Sequence, residues 1–123
     1  KAKHLDKALN QFAEEGAAKL FKPMIGAGWV IGVVGALQFE VLASRIELEY
    51  GIPVRFEQSQ FNSARWLSGE KDDVEKFINV NKGHMATDHD GDPVYMTRLQ
   101  WDIDRVERDH PDLNLTSTKD IML

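Results

Sequence analysis

The sequence predicts an α+β domain with antiparallel strand pairing and helices on one face. Three observations carry this. Helix-period and strand-period segments alternate along the whole chain, in the order α-β-β-α-β-β-α-β-β-α-β. Two pairs of apolar runs flank turns rich in Gly or Asp-Gly, the signature of hairpins. No low-complexity stretch, internal repeat or flexible linker interrupts the order.

Each element has its own justification. In Ala2–Glu15, Leu5, Ala8, Leu9 and Phe12 share one helical face, Asp6, Lys7, Asn10 and Glu14 lie opposite, and Gly16 marks a stop. Ala17–Phe21 is a short, partly alternating strand, and Pro23–Gly28 is a turn. Trp29–Val34, rich in β-branched residues and apolar on both faces, reads as a central strand. Ala36–Tyr50 is a second helix closed by Gly51 and Pro53. It carries two apolar faces, one of Leu37, Val41 and Leu48, the other of Phe39, Leu42, Ile46 and Tyr50. A helix apolar on two sides is expected to be buried on two sides. The C-terminal half is therefore expected to pack on the face away from the sheet.

Val54–Gln58 and Phe61–Leu67 read as strands. Val74, Phe77 and Ile78 make Lys71–Val80 a helix ended by Lys82-Gly83. His84–Thr87 and Val94–Thr97 flank an Asp-Gly turn, Leu99, Ile103 and Val106 mark a last helix stopped by Pro111, and Leu113–Thr116 is a final strand. The expected organisation is an α+β subdomain over 1–69 and an acidic α/β extension over 70–123, forming one cooperative unit.

At 123 residues the chain is one ordinary domain, able to bury roughly two-thirds of its unfolded surface without metal or disulfide. With 42% hydrophobic and 28% charged residues it is neither disordered nor fibrous. No run reaches the roughly 20 apolar residues of a membrane helix, and the polar start is no secretory signal. Cysteine is absent, which excludes thiolate chemistry. The first residue is Lys1, so a piece of a longer protein is expected. Residues 1–69 carry a net charge of +1 and residues 70–123 a net of −6. Such a chain is a poor autonomous nucleic-acid binder, although local contact to RNA stays open.

The motifs that suggest chemistry fail on their details. Gly26-Ala27-Gly28 lacks a third glycine at Ile31 and precedes its strand, so it is no dinucleotide loop, and no Gly-Lys-Ser/Thr occurs. The glycines read as a hairpin turn (Gly26, Gly28) and small residues (Gly32, Gly35). Asp88-His89-Asp90-Gly91-Asp92 starts like a calcium loop, but Pro93 stands where Gly is required and Leu99 where Glu is. It reads as a hairpin turn. His4, His84, His89 and His110 have no metal-ligand spacing. No nucleophile elbow or triad stands out. No catalytic, cofactor-binding or metal residue is therefore expected in this chain. Arg45, Arg55 and Arg65 lie near Phe56, Phe61 and Trp66, a mixture suited to binding RNA. Pairing with Glu47, Glu49 and Glu57 is their alternative.

Val33-Val34-Gly35-Ala36-Leu37-Gln38-Phe39-Glu40-Val41, Arg45-Ile46-Glu47-Leu48-Glu49-Tyr50-Gly51 and Ser63-Ala64-Arg65-Trp66 resemble bacterial peptide chain release factor 3, a translational GTPase. Glu14-Glu15-Gly16-Ala17 and Phe21-Lys22-Pro23 fit too, and the likeness thins after Gly69. A looser version, Gly-Glu-Leu-His-Leu for Gly-Ala-Leu-Gln-Phe, occurs in the third domain of elongation factor G. Gln38-Phe39 and the acidic tail favour the release factor.

The resemblance implies a ferredoxin-like antiparallel sheet, as in that third domain, and the two apolar faces of the second helix add the expectation that the acidic extension packs on it. It implies a C-terminal third domain without a nucleotide site, since GTP and Mg belong to a separate G domain of the parent. The parent promotes dissociation of class I release factors in translation termination, in the cytoplasm. The implied partners are the ribosome (small-subunit protein S12 and rRNA) and the parent's other domains. Arg45, Arg55 and Arg65 are candidate ribosome contacts. Related domains open with a strand before the first helix. Its absence here would leave an open sheet edge, and a fragment homodimer is expected across it. Three other readings compete: an elongation-factor-G-like domain, a small-ligand-sensing ferredoxin-like module, and an acylphosphatase-type hydrolase. The hydrolase is weakened because Pro23–Gly28 holds no Arg.

Overall fold

The computed structural model describes residues 2–26, 28–33, 37–57 and 59–117. Helix α1 spans Ala2–Glu15 and buries Ala8, Leu9 and Phe12 at the predicted spacing. Gly16, at φ +78°, ends it, and the Ala17 N–H donates back to the Phe12 carbonyl. Strands β1 (Lys19–Pro23) and β2 (Val30–Gly32) form an antiparallel hairpin with Phe21 opposite Val30. Gly26 and Gly28, at φ +94° and +96°, supply backbone angles that L side chains rarely adopt. They serve the turn, as the sequence indicates, while Gly35 lies outside the described residues. Next come α2 (Leu37–Tyr50), β3 (Ser63–Ser68), α3 (Lys71–Val80) and a 3-10 turn (Lys82–His84). Strands β4 (Met85–Asp88) and β5 (Pro93–Thr97), helix α4 (Gln100–Asp109) and β6 (Asn114–Thr116) complete the chain.

All six strands join one antiparallel sheet in the order β2-β1-β4-β5-β3-β6. Strands from both halves of the chain alternate across it: β1 pairs with β4, and β3 lies between β5 and β6. Strand alternation sorts the side chains into two faces. Leu20 joins Phe12, Leu42 and Ile46 under α1 and α2. Leu67, Met85 and Tyr95 meet Phe77, Ile103 and Val106 under α3 and α4. Phe21, Ala86, Val94 and Met96 turn the other way, and the residues packed with them (Val30, Phe61, Ala64, Trp66) include none from a helix. The fold is thus α+β with a ferredoxin-like antiparallel sheet and its helices on one face. No described helix is long and apolar enough to cross a membrane.

Four expectations change. Residues 51–57 form no strand, and Gln58 lies outside the described residues. Their alternation is real, with Val54 and Phe56 half-buried and Arg55 and Glu57 exposed. No strand pairs with them, and a ladder rather than a pattern defines a strand. Trp29–Val34 shortens to β2, an edge strand beside β1 alone, and Val34 lies outside the described residues. Among the described residues, the extension does not cover the outer apolar face of the second helix. Leu37, Val41 and Leu48 are 75%, 57% and 83% exposed, whereas Leu42 and Ile46 are 2% and 0%. The extension is held instead through backbone hydrogen bonding of β4 to β1 and of β5 and β6 to β3. With the 54–58 strand absent, six strands among the described residues replace the seven expected, which is the fourth change.

Candidate functional site

The face without helices carries an aromatic pair. Between β1 and β3 lie β4 and β5, three strand spacings or about 14 Å in a flat sheet. Yet the Phe21 and Trp66 rings approach to 5.8 Å between centroids. The two long side chains lean toward each other over small Ala86, which lies beside Val94 in the β4–β5 register and leaves room for the rings to close. The Lys19 ammonium sits 5.2 Å from the Trp66 ring centre, a cation–π contact. Trp66 itself is fixed from behind: its indole N–H donates to Asp88 Oδ2 at 2.9 Å.

Asp88 explains why the aspartate-rich turn has its shape. Its Oδ1 accepts the backbone N–H groups of Asp90 and Asp92, both at 2.9 Å. This is an Asx turn, as an Asp preceding a tight hairpin favours. Carboxylate oxygens of Asp88, Asp90 and Asp92 lie within 4.8 Å of one another, but Asp88 serves the turn and the indole.

A cleft of about 740 Å³ opens between the β2 edge and the segment leading into β3. Phe39 and Phe56, 5.2 Å apart, form part of its apolar wall, and Arg55, Glu57 and Asn62 supply polar groups. An adjoining cleft of about 510 Å³ shares Phe21 and Asn62 and adds Lys19, Arg65 and Trp66. No histidine lines either cleft, and Glu57 contacts Arg55. The lining suits recognition by apolar, aromatic and cationic contact.

The three candidate arginines sit in different parts of the domain. Arg45 closes α2 onto α1: Nη1 and Nη2 donate to the two Glu15 carboxylate oxygens at 3.0 and 3.4 Å, and Nε lies 3.5 Å from Glu49. Its guanidinium also lies 4.5 Å from the Phe12 ring centre. The fork holds the Glu15 carboxyl below its ordinary value, and Glu15 pushes Arg45 up. Arg55 is 86% exposed and lies 3.5 Å from Glu57. Arg65 donates to the Ala64 carbonyl at 2.9 Å and to Gln100 Oε1 at 3.2 Å, next to α4. The pairing alternative thus holds for Arg45 with Glu49 and for Arg55 with Glu57, while Glu15 is a partner the sequence does not reveal.

Tyr95 is also shifted. Burial against Phe77 pushes its hydroxyl up, with the Asp102 carboxylate adding to the effect and Arg105 opposing it. Neither Glu15, Arg45 nor Tyr95 lines either cleft; the first two shifts reflect the Arg45–Glu15 pair and the third reflects burial. His110, at the end of α4, stands edge-on to Phe77 at 5.3 Å, a structural placement. Sequence reasoning did not single out Lys19, Phe21 or Asp88 as companions of Trp66. Their separations along the chain leave no local signal.

One comparison with known families bears on the whole arrangement. The family model described as class II release factor RF3, C-terminal domain, matches residues 1–107.

Proposed function

The chain belongs to the family of class II release factor RF3 C-terminal domains, and from that membership we propose that it contacts the ribosome within a translational GTPase. In this reading the parent promotes dissociation of class I release factors during translation termination, in the cytoplasm. The family match over residues 1–107 is the observation that carries the reading. Two features support it. The sequence has no Gly-Lys-Ser/Thr phosphate loop, in keeping with GTP and Mg being held by a separate G domain. The clefts beside β2 and β3 offer half-buried Phe56, Phe61 and Trp66, with Lys19, Arg55 and Arg65, to a partner.

The proposed partners are the small subunit, through protein S12 and rRNA, and the parent's other domains. Among the three arginines Arg55 is the best placed for rRNA, being exposed on the wall of the larger cleft. Arg45 is committed to holding the helices together. The test is co-sedimentation of the parent with purified ribosomes, with and without residues 1–123, across a salt series. Loss of pelleting on deletion supports the reading; equal pelleting refutes it. Replacing Arg55 alone by Glu should weaken pelleting and flatten its salt dependence if Arg55 meets phosphate. An identical salt curve would remove Arg55 from the contact.

A further inference from the structure

The exposed side of α2 is a feature that the fold does not use. Leu37, Val41, Ser44 and Leu48 fall at i, i+4, i+7 and i+11, a straight seam about 16 Å long. The three apolar members are 57% or more exposed, directly opposite buried Leu42 and Ile46. Helix propensity does not require leucine or valine at a wet position, since Lys, Glu or Gln serve as well or better. A seam with this spacing is the pattern of an amphipathic helix that lies in a groove.

Charge selects among occupants. Exposed Glu40 and Glu47 border one side of the seam and Glu49 the other. The helix's single basic residue, Arg45, is held by Glu15 and Glu49. An RNA backbone would meet like charge here. A second copy of this chain, docking by the same patch, would set glutamates against glutamates. The described residues of the acidic half leave the seam open.

We infer that the Leu37–Val41–Leu48 seam of α2 docks into an apolar groove rimmed by Lys or Arg on a basic protein of the ribosome. The location on the ribosome rests on the function proposed above; the basic, grooved protein surface follows from the seam and its glutamates. The apolar side chains supply the burial, and Glu40 and Glu47 orient the approach.

The experiment uses the full release factor carrying Leu48→Cys, labelled with a photoreactive benzophenone and bound to purified ribosomes. The unsubstituted factor, treated identically, is the control, and this domain has no cysteine of its own. The expected result is an adduct to a Lys- or Arg-rich segment of a protein. Val41→Asp with Leu48→Asp should weaken binding roughly tenfold or more without moving the melting temperature. Glu40→Lys with Glu47→Lys should weaken it as well. An adduct to rRNA, to another copy or to another domain of the factor overturns the inference, as does pelleting with no adduct, while the ribosome reading stands. If the factor does not pellet, it is exposed to ribosomal proteins stripped from RNA. An adduct there keeps the docking inference and drops the ribosome reading; none overturns both.

Discussion

Two leucines six residues apart on α2 should behave as opposites. Leu42 is 2% exposed, among Phe12, Ile46 and Leu9; Leu48 is 83% exposed. Truncating Leu42 to Ala removes buried methyl and methylene groups from water-free surroundings and leaves a cavity. Such changes cost about 2–5 kcal/mol, the upper end where neighbours cannot collapse. Here collapse is opposed by the Phe12 ring, pinned between the core and the Arg45 guanidinium. A value in the upper half of that range is expected. With an unfolding entropy of about 2.1 cal/mol/K per residue, a loss of 2–5 kcal/mol lowers the melting temperature by roughly 8–20 °C. Leu48→Ala leaves no cavity and improves helix propensity slightly, so its effect should stay within about 0.5 kcal/mol. Thermal and urea unfolding followed by circular dichroism would measure both variants in parallel. Equal losses would mean that the Leu48 face is covered in solution, and the assignment of α2's inner and outer faces would be wrong.

The remaining predictions concern the sheet and its charges. Cutting the chain after Gly69 removes β4 and uncovers β1 and Phe21, so residues 1–69 should aggregate; a soluble fragment with a sharp melting transition would break the single cooperative unit. Asp88→Ala leaves the Trp66 indole and two turn N–H groups without their acceptor and should cost about 2 kcal/mol or more, whereas Asp88→Asn keeps one oxygen and should cost less; equal melting curves for all three proteins would refute the role of this carboxylate. Because the folded Glu15 carboxyl lies below its ordinary value, its contribution is present above the unfolded value near 4.5 and fades as pH falls through the folded one. Arg45→Met should therefore flatten the acid limb of the stability curve, and an unchanged limb would count against the clasp. Because β2 is an uncharged edge strand, the chain should self-associate, and light scattering that stays at the 14.0 kDa monomer up to millimolar concentration would exclude this.

Much of this protein is local information, and the sequence alone carries it. The α1 and α3 boundaries, the β4–β5 hairpin, the turn glycines Gly26 and Gly28 and the short β6 follow from periodicity and turn chemistry within a few residues. The motifs around Gln38-Phe39 and Ser63–Trp66 point to the same family as the match over residues 1–107.

Tertiary structure alone decided what depends on partners far along the chain. Both faces of α2 read as apolar, and hydrophobicity cannot say which one finds cover; β4 took the place beside β1, so one face stayed wet. Residues 52–57 have strand-like alternation, but a strand exists only where another backbone supplies hydrogen bonds. Arg45 meets Glu15 across 30 residues, and Trp66 meets Asp88 across 22. Pattern along a chain records which side chains prefer burial, whereas the order and register of the strands determine which of them meet.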